Sequence, residues 1–154
     1  MSANDVNVSD FDTSKFNSDL RKAFLNQRLC DCEFMIGNEK VGAHKIIIEK
    51  SAPYMAQQLD ESGNKLTINN CSRQSLEEFF KFLYSGEMDT ENAEIVCQVL
   101  SLAVAFRVPL LISYCEQILY DILEHSDPNV VFQNCHKYNL SNELKKKSFH
   151  MIQK

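Results

Sequence analysis

The sequence predicts a mostly helical α+β domain with a small three-stranded sheet. Its 154 residues include four glycines and three prolines, so residues that break helices are sparse. Long stretches place apolar residues three and four positions apart, which is the spacing of one face of an α-helix. Three short segments are typical of strands instead: residues 30–36, the region around Val41, and residues 66–68.

Length and composition fit one domain. A chain of 154 residues, 44% of them apolar, can bury about 68–70% of its unfolded surface. We expect a disordered segment over residues 1–11, the globular domain over 12–124 and a pair of helices over 125–154. No apolar run approaches the roughly 18 residues of a membrane-spanning helix, and no signal segment is recognisable. These features favour a soluble protein of the cytoplasm and/or nucleus, without membrane contact.

The acidic balance argues against one class of partner. The formal charge is −5 and the sequence pI is about 5.4, whereas phosphate binding needs clustered Lys and Arg. The basic run Lys145-Lys146-Lys147 falls in a predicted helix. A solvated helix face explains it more simply than a localisation or nucleic-acid signal does. We expect no nucleic-acid ligand.

The six cysteines favour neither disulfides nor a metal site. Nothing in the sequence indicates secretion, and cytosolic thiols stay reduced. Cys30 and Cys32 flank Asp31 on the first predicted strand, but a zinc site needs a second ligand pair. The other local candidate for that pair is Cys135-His136. We expect no metal and no cofactor.

Enzymatic motifs are missing from the sequence. It contains no glycine-rich phosphate loop, no G-x-S-x-G and no H-E-x-x-H. His44 begins a predicted helix beside apolar positions, where a hydrogen-bonded structural histidine is favoured over a catalytic base. A Cys–His pair assembled in three dimensions stays an open alternative. The prediction is a protein that is not an enzyme.

The chain begins with a predicted helix and a hairpin. Asp12 or Thr13 can cap the helix. Its apolar stripe consists of Phe16, Leu20, Ala23 and Phe24. Gly37-Asn38-Glu39 is the turn of a hairpin whose second strand contains Val41. The apolar stripe needs a cover, which is either the domain core or a second subunit.

Residues 43–50 are ambiguous when judged from their pattern. Ile46-Ile47-Ile48 is a β-branched run, and such runs favour strands. Pro53 is well placed in the first turn of a following helix, which we expect to end near Leu59.

The second half of the chain carries clear helix boundaries. Ser72 is expected to cap a strongly periodic helix that Gly86 closes. Thr90 is expected to cap the next helix, and Pro109 opens a third. Asp127-Pro128, a cap followed by proline, introduces a helix pair. The pair covers residues 127–138 and 141–153.

Five short motifs, in this order and spacing, resemble the BTB/POZ domain family. They are Leu29-Cys30-Asp31, Ala43-His44-Lys45, Ser51-Ala52-Pro53-Tyr54, Phe79-x-x-Phe82-Leu83-Tyr84-Ser85-Gly86 and Val108-Pro109. The resemblance covers about residues 13–123, and the helix pair continues it as the family's 3-box and the start of its BACK region. It implies a small sheet flanked by helices, an N-terminal dimerisation helix, and a helix rather than a strand at residues 43–50.

The resemblance also implies a homodimer built on the first helix. Its dimer residues would be Phe16, Leu20 and Phe24, together with a charged pocket formed by Asp31 and Lys45. Two alternatives stay open. The helix stripe could be buried within its own subunit, and Asp31 could simply cap local backbone.

The triplet Leu59-Asp60-Glu61 stands where family members that bind cullin-3 carry an apolar residue, any residue and a glutamate. Such a triplet would supply an apolar anchor for a pocket and a carboxylate at its edge. The alternative is that Leu59 ends an amphipathic helix and the two acids form a solvated turn.

The helix pair fits the same interpretation, because adaptors of this family extend the domain with helices that receive the cullin's N-terminal segment. The resemblance implies further cullin contacts at Tyr84, Tyr120, Val131 and Leu144. The leading hypothesis is therefore a homodimeric adaptor of a cullin-3 RING ubiquitin ligase, bound to the cullin-3 N-terminal domain. An unknown substrate would be carried by a domain that is not in this chain. The alternative is the dimerisation domain of a transcriptional regulator that recruits corepressors, for which the helix pair is not expected.

Overall fold

The computed structural model describes residues 13–153, which form eight helices and a three-stranded sheet. The helices are α1 (Thr13–Leu25), α2 (Lys45–Ser51), α3 (Pro53–Glu61), α4 (Arg73–Ser85), α5 (Ala93–Ala105), α6 (Pro109–His125), α7 (Pro128–Lys137) and α8 (Asn142–Ile152). The strands are β1 (Cys32–Ile36), β2 (Glu39–Ala43) and β3 (Lys65–Thr67). The predicted mostly helical α+β class is confirmed. The predictions of disorder over residues 1–11 and of a cap at Asp12 lie outside the described residues.

The sheet is mixed, with the strand order β2-β1-β3. β1 and β2 form the predicted hairpin, and Ile36 pairs with Glu39, so the turn itself consists of Gly37 and Asn38. β3 lies parallel to β1. A parallel neighbour requires a crossover connection, which α2 and α3 provide.

The centre of the core is α4. Its Phe80 is fully buried, and the Phe80 ring centroid lies 4.8 Å from that of Phe34 on β1 and 5.4 Å from that of Phe24 on α1. Both ends of α4 are as predicted. Ser72 accepts a hydrogen bond as the cap, and Gly86 ends the helix in the left-handed conformation at φ +79°.

The α5 helix begins later than the predicted cap at Thr90. Asn92 is the cap, and its side chain accepts a hydrogen bond of 3.1 Å from the backbone N–H of Ile95. Thr90 instead accepts a hydrogen bond of 3.1 Å from the backbone N–H of Asn92. Thr and Asn both cap helices well, so the local sequence did not distinguish the two positions.

The isoleucine run lies in a helix, α2, as the family resemblance implied. Ile48 is buried in the core, Ile47 packs against it, and Ile46 remains 74% exposed. A strand would have placed Ile46 and Ile48 on the same face. In the helix these two side chains diverge, so tertiary packing overrides the β propensity of the run.

His44, the residue before α2, connects three separate segments through hydrogen bonds. Its backbone N–H donates to the Tyr84 hydroxyl at 2.8 Å, and its ring Nδ1 lies 2.7 Å from the same oxygen. Its Nε2 lies 2.5 Å from the backbone oxygen of Arg28. A carbonyl oxygen only accepts, so Nε2 carries the hydrogen and Nδ1 accepts from Tyr84. We call this group of three residues the His44 clamp.

The loop that joins α1 to β1 is also fixed to the edge of the sheet. The side-chain amide of Gln27 donates to the carbonyl oxygen of Gly42 at 2.8 Å and accepts from the N–H of the same residue at 2.7 Å. A Cβ atom at position 42 would lie 2.9 Å from the sulfur of Cys30. Only glycine therefore lets the loop approach β2 so closely.

The C-terminal helix pair is continuous with the rest of the core. Asp127 caps α7 with Pro128 in its first turn, and Ser141 caps α8. The two helices pack on one another, and α7 also contacts α5 and α6. Val131 and Leu144 are fully buried in this packing.

Arg21 attaches α1 to the end of α4. Its guanidinium group pairs with Asp89, donates to the carbonyl oxygen of Glu87 at 2.7 Å, and donates to the Ser85 hydroxyl at 3.1 Å. The side chain of neighbouring Lys22 is largely exposed, and within residues 13–153 its ammonium group forms one ion pair, at 3.9 Å with Asp19.

We predict that Arg21→Ala lowers the free energy of unfolding by about 1.5–3 kcal/mol, because hydrogen bonds that involve a charged group are lost. The matched control Lys22→Ala should change stability by less than about 0.5 kcal/mol. Urea denaturation measures both values. Equal effects of the two substitutions would contradict the role assigned to Arg21.

We further predict that Tyr84→Phe costs about 1–3 kcal/mol of stability, because the partly buried His44 N–H loses its acceptor and the His44 ring loses its donor. Tyr120→Phe removes the hydroxyl of a half-exposed tyrosine and is the control. Thermal and urea unfolding of both variants provide the comparison. A Tyr84→Phe variant as stable as the control would show that the His44 clamp contributes little.

Candidate functional site

The predicted dimer stripe on α1 divides between the core and the surface. Phe24 is buried, and its ring centroid lies 5.2 Å from that of Tyr84 in the same subunit. Leu20 packs partly against this core, whereas Phe16 is 51% exposed. Burial within the subunit, the alternative stated for this stripe, therefore applies to Phe24. Phe16 remains accessible to a second subunit, and the predicted dimer surface on α1 stays a prediction.

Sequence reasoning missed two exposed apolar residues, one in the loop after α1 and one at the start of α2. Leu29 is 89% exposed and has φ +58°, a left-handed conformation that is unfavourable for leucine. Ile46, at the start of α2, is 74% exposed. The His44 clamp holds the neighbouring Arg28 carbonyl, so the conformation at Leu29 is imposed by tertiary contacts. Strained residues that persist in this way are typical of functional sites.

The expected ion pair between Asp31 and Lys45 is not formed. Asp31 instead accepts a hydrogen bond of 2.7 Å from the backbone N–H of Lys45, which satisfies a donor at the start of α2. The Lys45 ammonium group pairs with Asp60 at the end of α3. The hydrogen bond to Asp60 raises the pKa of Lys45 above its usual value, with a smaller contribution from Asp31. The backbone-capping alternative for Asp31 is thus what the structure contains.

The triplet at the end of α3 has one buried member and two exposed ones. The Leu59 side chain is fully buried, whereas Asp60 and Glu61 are exposed. The Leu59 carbonyl oxygen accepts hydrogen bonds from the N–H groups of Ser62 and Asn64, at 3.2 and 2.8 Å. The prediction that the Leu59 side chain itself anchors a partner therefore needs correction, since that side chain is part of the core.

Three of the other predicted cullin contacts are also inside the domain. Tyr84 is buried in the His44 clamp, and Val131 and Leu144 are fully buried at the C-terminal helix pair. Tyr120 is half-buried, and the ammonium group of Lys147 lies 4.4 Å from its ring centroid. Tyr84, Val131 and Leu144 therefore support the surface from beneath. Cullin binding itself stays a prediction, and among the predicted residues the exposed Asp60 and Glu61 and the half-buried Tyr120 remain accessible to a partner.

A groove runs between the loop that follows β3, the C-terminal half of α5 and the turn between α7 and α8. It is formed by three adjoining cavities that share lining residues, the largest of ≈ 650 Å³. Most of its lining side chains are amides and hydroxyls, and its apolar members come from the loop after β3, from the end of α5 with the following Phe106, and from the α7–α8 turn. The lining includes Asn69, Asn70, Cys71, Ser72, Gln98, Ser101, Val104, Ala105, Lys137, Tyr138, Asn139, Leu140, Ser141 and Asn142.

One buried side chain, Gln98, connects the walls of this groove. Its side-chain oxygen accepts from the backbone N–H and the hydroxyl of Ser72, at 3.1 and 3.0 Å. Its amide group donates to the Tyr138 hydroxyl at 2.8 Å. Gln98 thus fixes the position of α7 relative to α4. Sequence reasoning missed this residue, because a glutamine in a helix gives no local signal of burial.

The described residues offer no metal centre. Within residues 13–153, no cluster of three or more His, Cys, Asp or Glu side chains is placed to hold a metal ion. Burial raises the pKa of Cys32 to about 12 and that of Cys135 to about 11. Thiolates, which bind metals and attack electrophiles, are therefore disfavoured at both positions.

No helix within residues 13–153 is long and apolar enough to cross a membrane.

Comparison with known proteins identifies the fold. The family model of the BTB/POZ domain matches residues 20–123. The BTB domain of zebrafish PATZ1 is similar in structure, with a TM-score of 0.56 and 18% identity over 72% of this chain and 97% of that one. The BTB domain of human gigaxonin has a TM-score of 0.56 and 20% identity over 76% of this chain and 98% of that one. No curated protein sequence is significantly similar to this chain. Because the family model covers well over half of the chain, the protein belongs to the BTB/POZ domain family, whose members are typically non-catalytic modules for dimerisation and protein interaction.

Proposed function

We propose that this BTB domain is a homodimeric adaptor of a cullin-3 RING ubiquitin ligase. It would bind the cullin-3 N-terminal domain and carry a substrate through a domain outside this chain. The observation that carries the proposal is the α7–α8 pair, which lies beyond the family match and forms one wall of the groove. Dimerisation alone gives no reason for such a groove.

The acid pair at the end of α3 supports the same surface. Asp60 and Glu61 lie in the last turn of α3, which contains no basic residue. Each carboxylate at a helix C-terminus lowers the stability of the helix by about 0.3–1 kcal/mol, because that end of the helix dipole is negative. This turn and the groove lie at the two ends of β3, a strand of three residues that spans about 10 Å. One partner can therefore reach both.

The groove suits an extended segment such as the N-terminal segment of the cullin. Its amide and hydroxyl side chains can form hydrogen bonds with the main chain of a bound segment that does not pair with a strand. Val104, which is 56% exposed, and the adjacent exposed Ala105 offer an apolar strip for side chains. Hydrogen bonds to the main chain give affinity, and apolar pockets select side chains.

The proposed dimer surface contains Leu29 and Ile46 and continues onto α1. Burying a side chain of this kind contributes about 1.5–3 kcal/mol of hydrophobic free energy, which each of the two loses while it is exposed to water. Because both sit beside the His44 clamp, their positions are fixed before any partner arrives. An isologous dimer would place the same patch of each subunit against its copy.

We predict that wild-type protein binds the cullin-3 N-terminal domain with a Kd below about 10 µM in calorimetric titration. Val104→Asp and Glu61→Ala should each weaken binding about tenfold or more, because an apolar contact or a charged hydrogen bond is lost. Leu110→Asp, at an exposed leucine elsewhere on the surface, is the control for Val104→Asp, and Glu124→Ala is the control for Glu61→Ala. Both controls should bind like wild type. Removing the N-terminal segment of the cullin should abolish the effect of Val104→Asp but not that of Glu61→Ala.

No binding by wild-type protein at about 100 µM would contradict the adaptor function. Corepressor peptides would then be the next partners to titrate, since the transcriptional-regulator alternative requires them.

We also predict that the wild-type chain of 17.7 kDa has twice its monomer mass in light scattering. The double substitution Leu29→Asp/Ile46→Asp should reduce that mass to the monomer value, because charges would be buried without partners. Leu110→Asp should stay dimeric. A double variant that keeps the dimer mass would exclude this surface.

A further inference from the structure

The adjacent carboxylates of Asp60 and Glu61 have different surroundings. Successive residues of a helix point about 100° apart, and Leu59 points into the core. Glu61 therefore points away from the core, about 200° from Leu59. Asp60 points sideways, toward α2, where its carboxylate meets the ammonium group of Lys45.

Lys45 is fixed at both of its ends. Its backbone N–H is held by Asp31, and its partly buried side chain ends at Asp60. Glu49 and Asp31 add to the negative field around it. Among the residues that the structure describes, no ion pair involves Glu61.

The turn after Glu61 is also rigid. Gly63 and Asn64 both have left-handed conformations, at φ +69° and +66°. Their positions are held by the bond from the Asn64 N–H to the Leu59 carbonyl and by the bond from the Glu33 N–H to the Asn64 carbonyl, of 2.8 and 2.9 Å. The last turn of α3 is therefore constrained by the sheet on one side and by Lys45 on the other.

We propose that Lys45 is a positioning residue that selects which carboxylate meets the partner. It neutralises Asp60 and holds it against α2, so that Glu61 alone presents an uncompensated charge. This inference rests on the proposed function, which assigns this turn to the cullin-3 N-terminal domain. It implies that the partner offers one cation or one group of N–H donors at this point, directed at Glu61.

A titration of five variants against the cullin-3 N-terminal domain tests the inference. Lys45→Met should weaken binding about fivefold, because the released Asp60 charge then competes with Glu61. Asp60→Asn should bind within about twofold of wild type, and Lys45→Met/Asp60→Asn should do the same, because no charge is released. Glu61→Gln should weaken binding about tenfold. Lys45→Arg should bind like wild type.

Melting temperature and dimer mass of each variant show whether the fold is retained, and a merely structural role for Lys45 would not be rescued by Asp60→Asn. A Lys45→Met variant that binds like wild type would overturn this inference and leave the proposed function standing. The same holds if Lys45→Met/Asp60→Asn binds as weakly as Lys45→Met. An Asp60→Asn variant as weak as Glu61→Gln would also overturn the inference. Failure of the wild-type protein to bind at all would overturn the proposed function together with it.

Discussion

The interaction on which the rest of this domain depends is the hydrogen-bonded clamp around His44. One histidine joins the loop after α1, the start of α2 and the buried hydroxyl of Tyr84 on α4. Burial raises the pKa of that tyrosine well above its usual value, so its hydroxyl stays protonated and can donate. The clamp fixes the backbone that displays Leu29 and Ile46, and it places Lys45 within reach of Asp31 and Asp60. The proposed dimer surface and the ion pair of Lys45 thus both depend on the hydrogen bonds of the His44 clamp.

Gln98 has the equivalent role on the other side of the core. It bonds to the cap of α4 and to the tyrosine that ends α7, so the groove walls are joined beneath the groove itself. A polar side chain that is buried and partnered in this way specifies one arrangement of the helices, since any shift leaves its donors and acceptors unpaired. The exposed lining residues are consequently held in place before a partner binds.

The sequence was sufficient for much of the fold and for little of the site's geometry. Ser72, Gly86 and Asp127-Pro128 marked helix ends correctly because capping depends on neighbouring residues. The helix at the isoleucine run needed the family resemblance, since packing overrides its local propensity. The family resemblance places Leu59, Val131 and Leu144 on a binding surface, whereas all three are buried. A motif gives the place of a residue along the chain but not the side of the helix it occupies. The ion pair of Lys45 with Asp60 joins two helices, which no local pattern encodes.

The contact between Gln27 and Gly42 has a consequence for how copies of the chain can associate. In the strand order β2-β1-β3, β2 is an edge strand, and edge strands invite pairing with other chains. The Gln27 amide occupies both the N–H and the C=O of Gly42, so it takes the place that one residue of an incoming strand would fill. The side chain thus blocks pairing with another strand at Gly42, near the end of β2. Another chain can therefore associate with this part of the molecule only through side-chain contacts. Side chains discriminate between partners, whereas an exposed backbone edge does not.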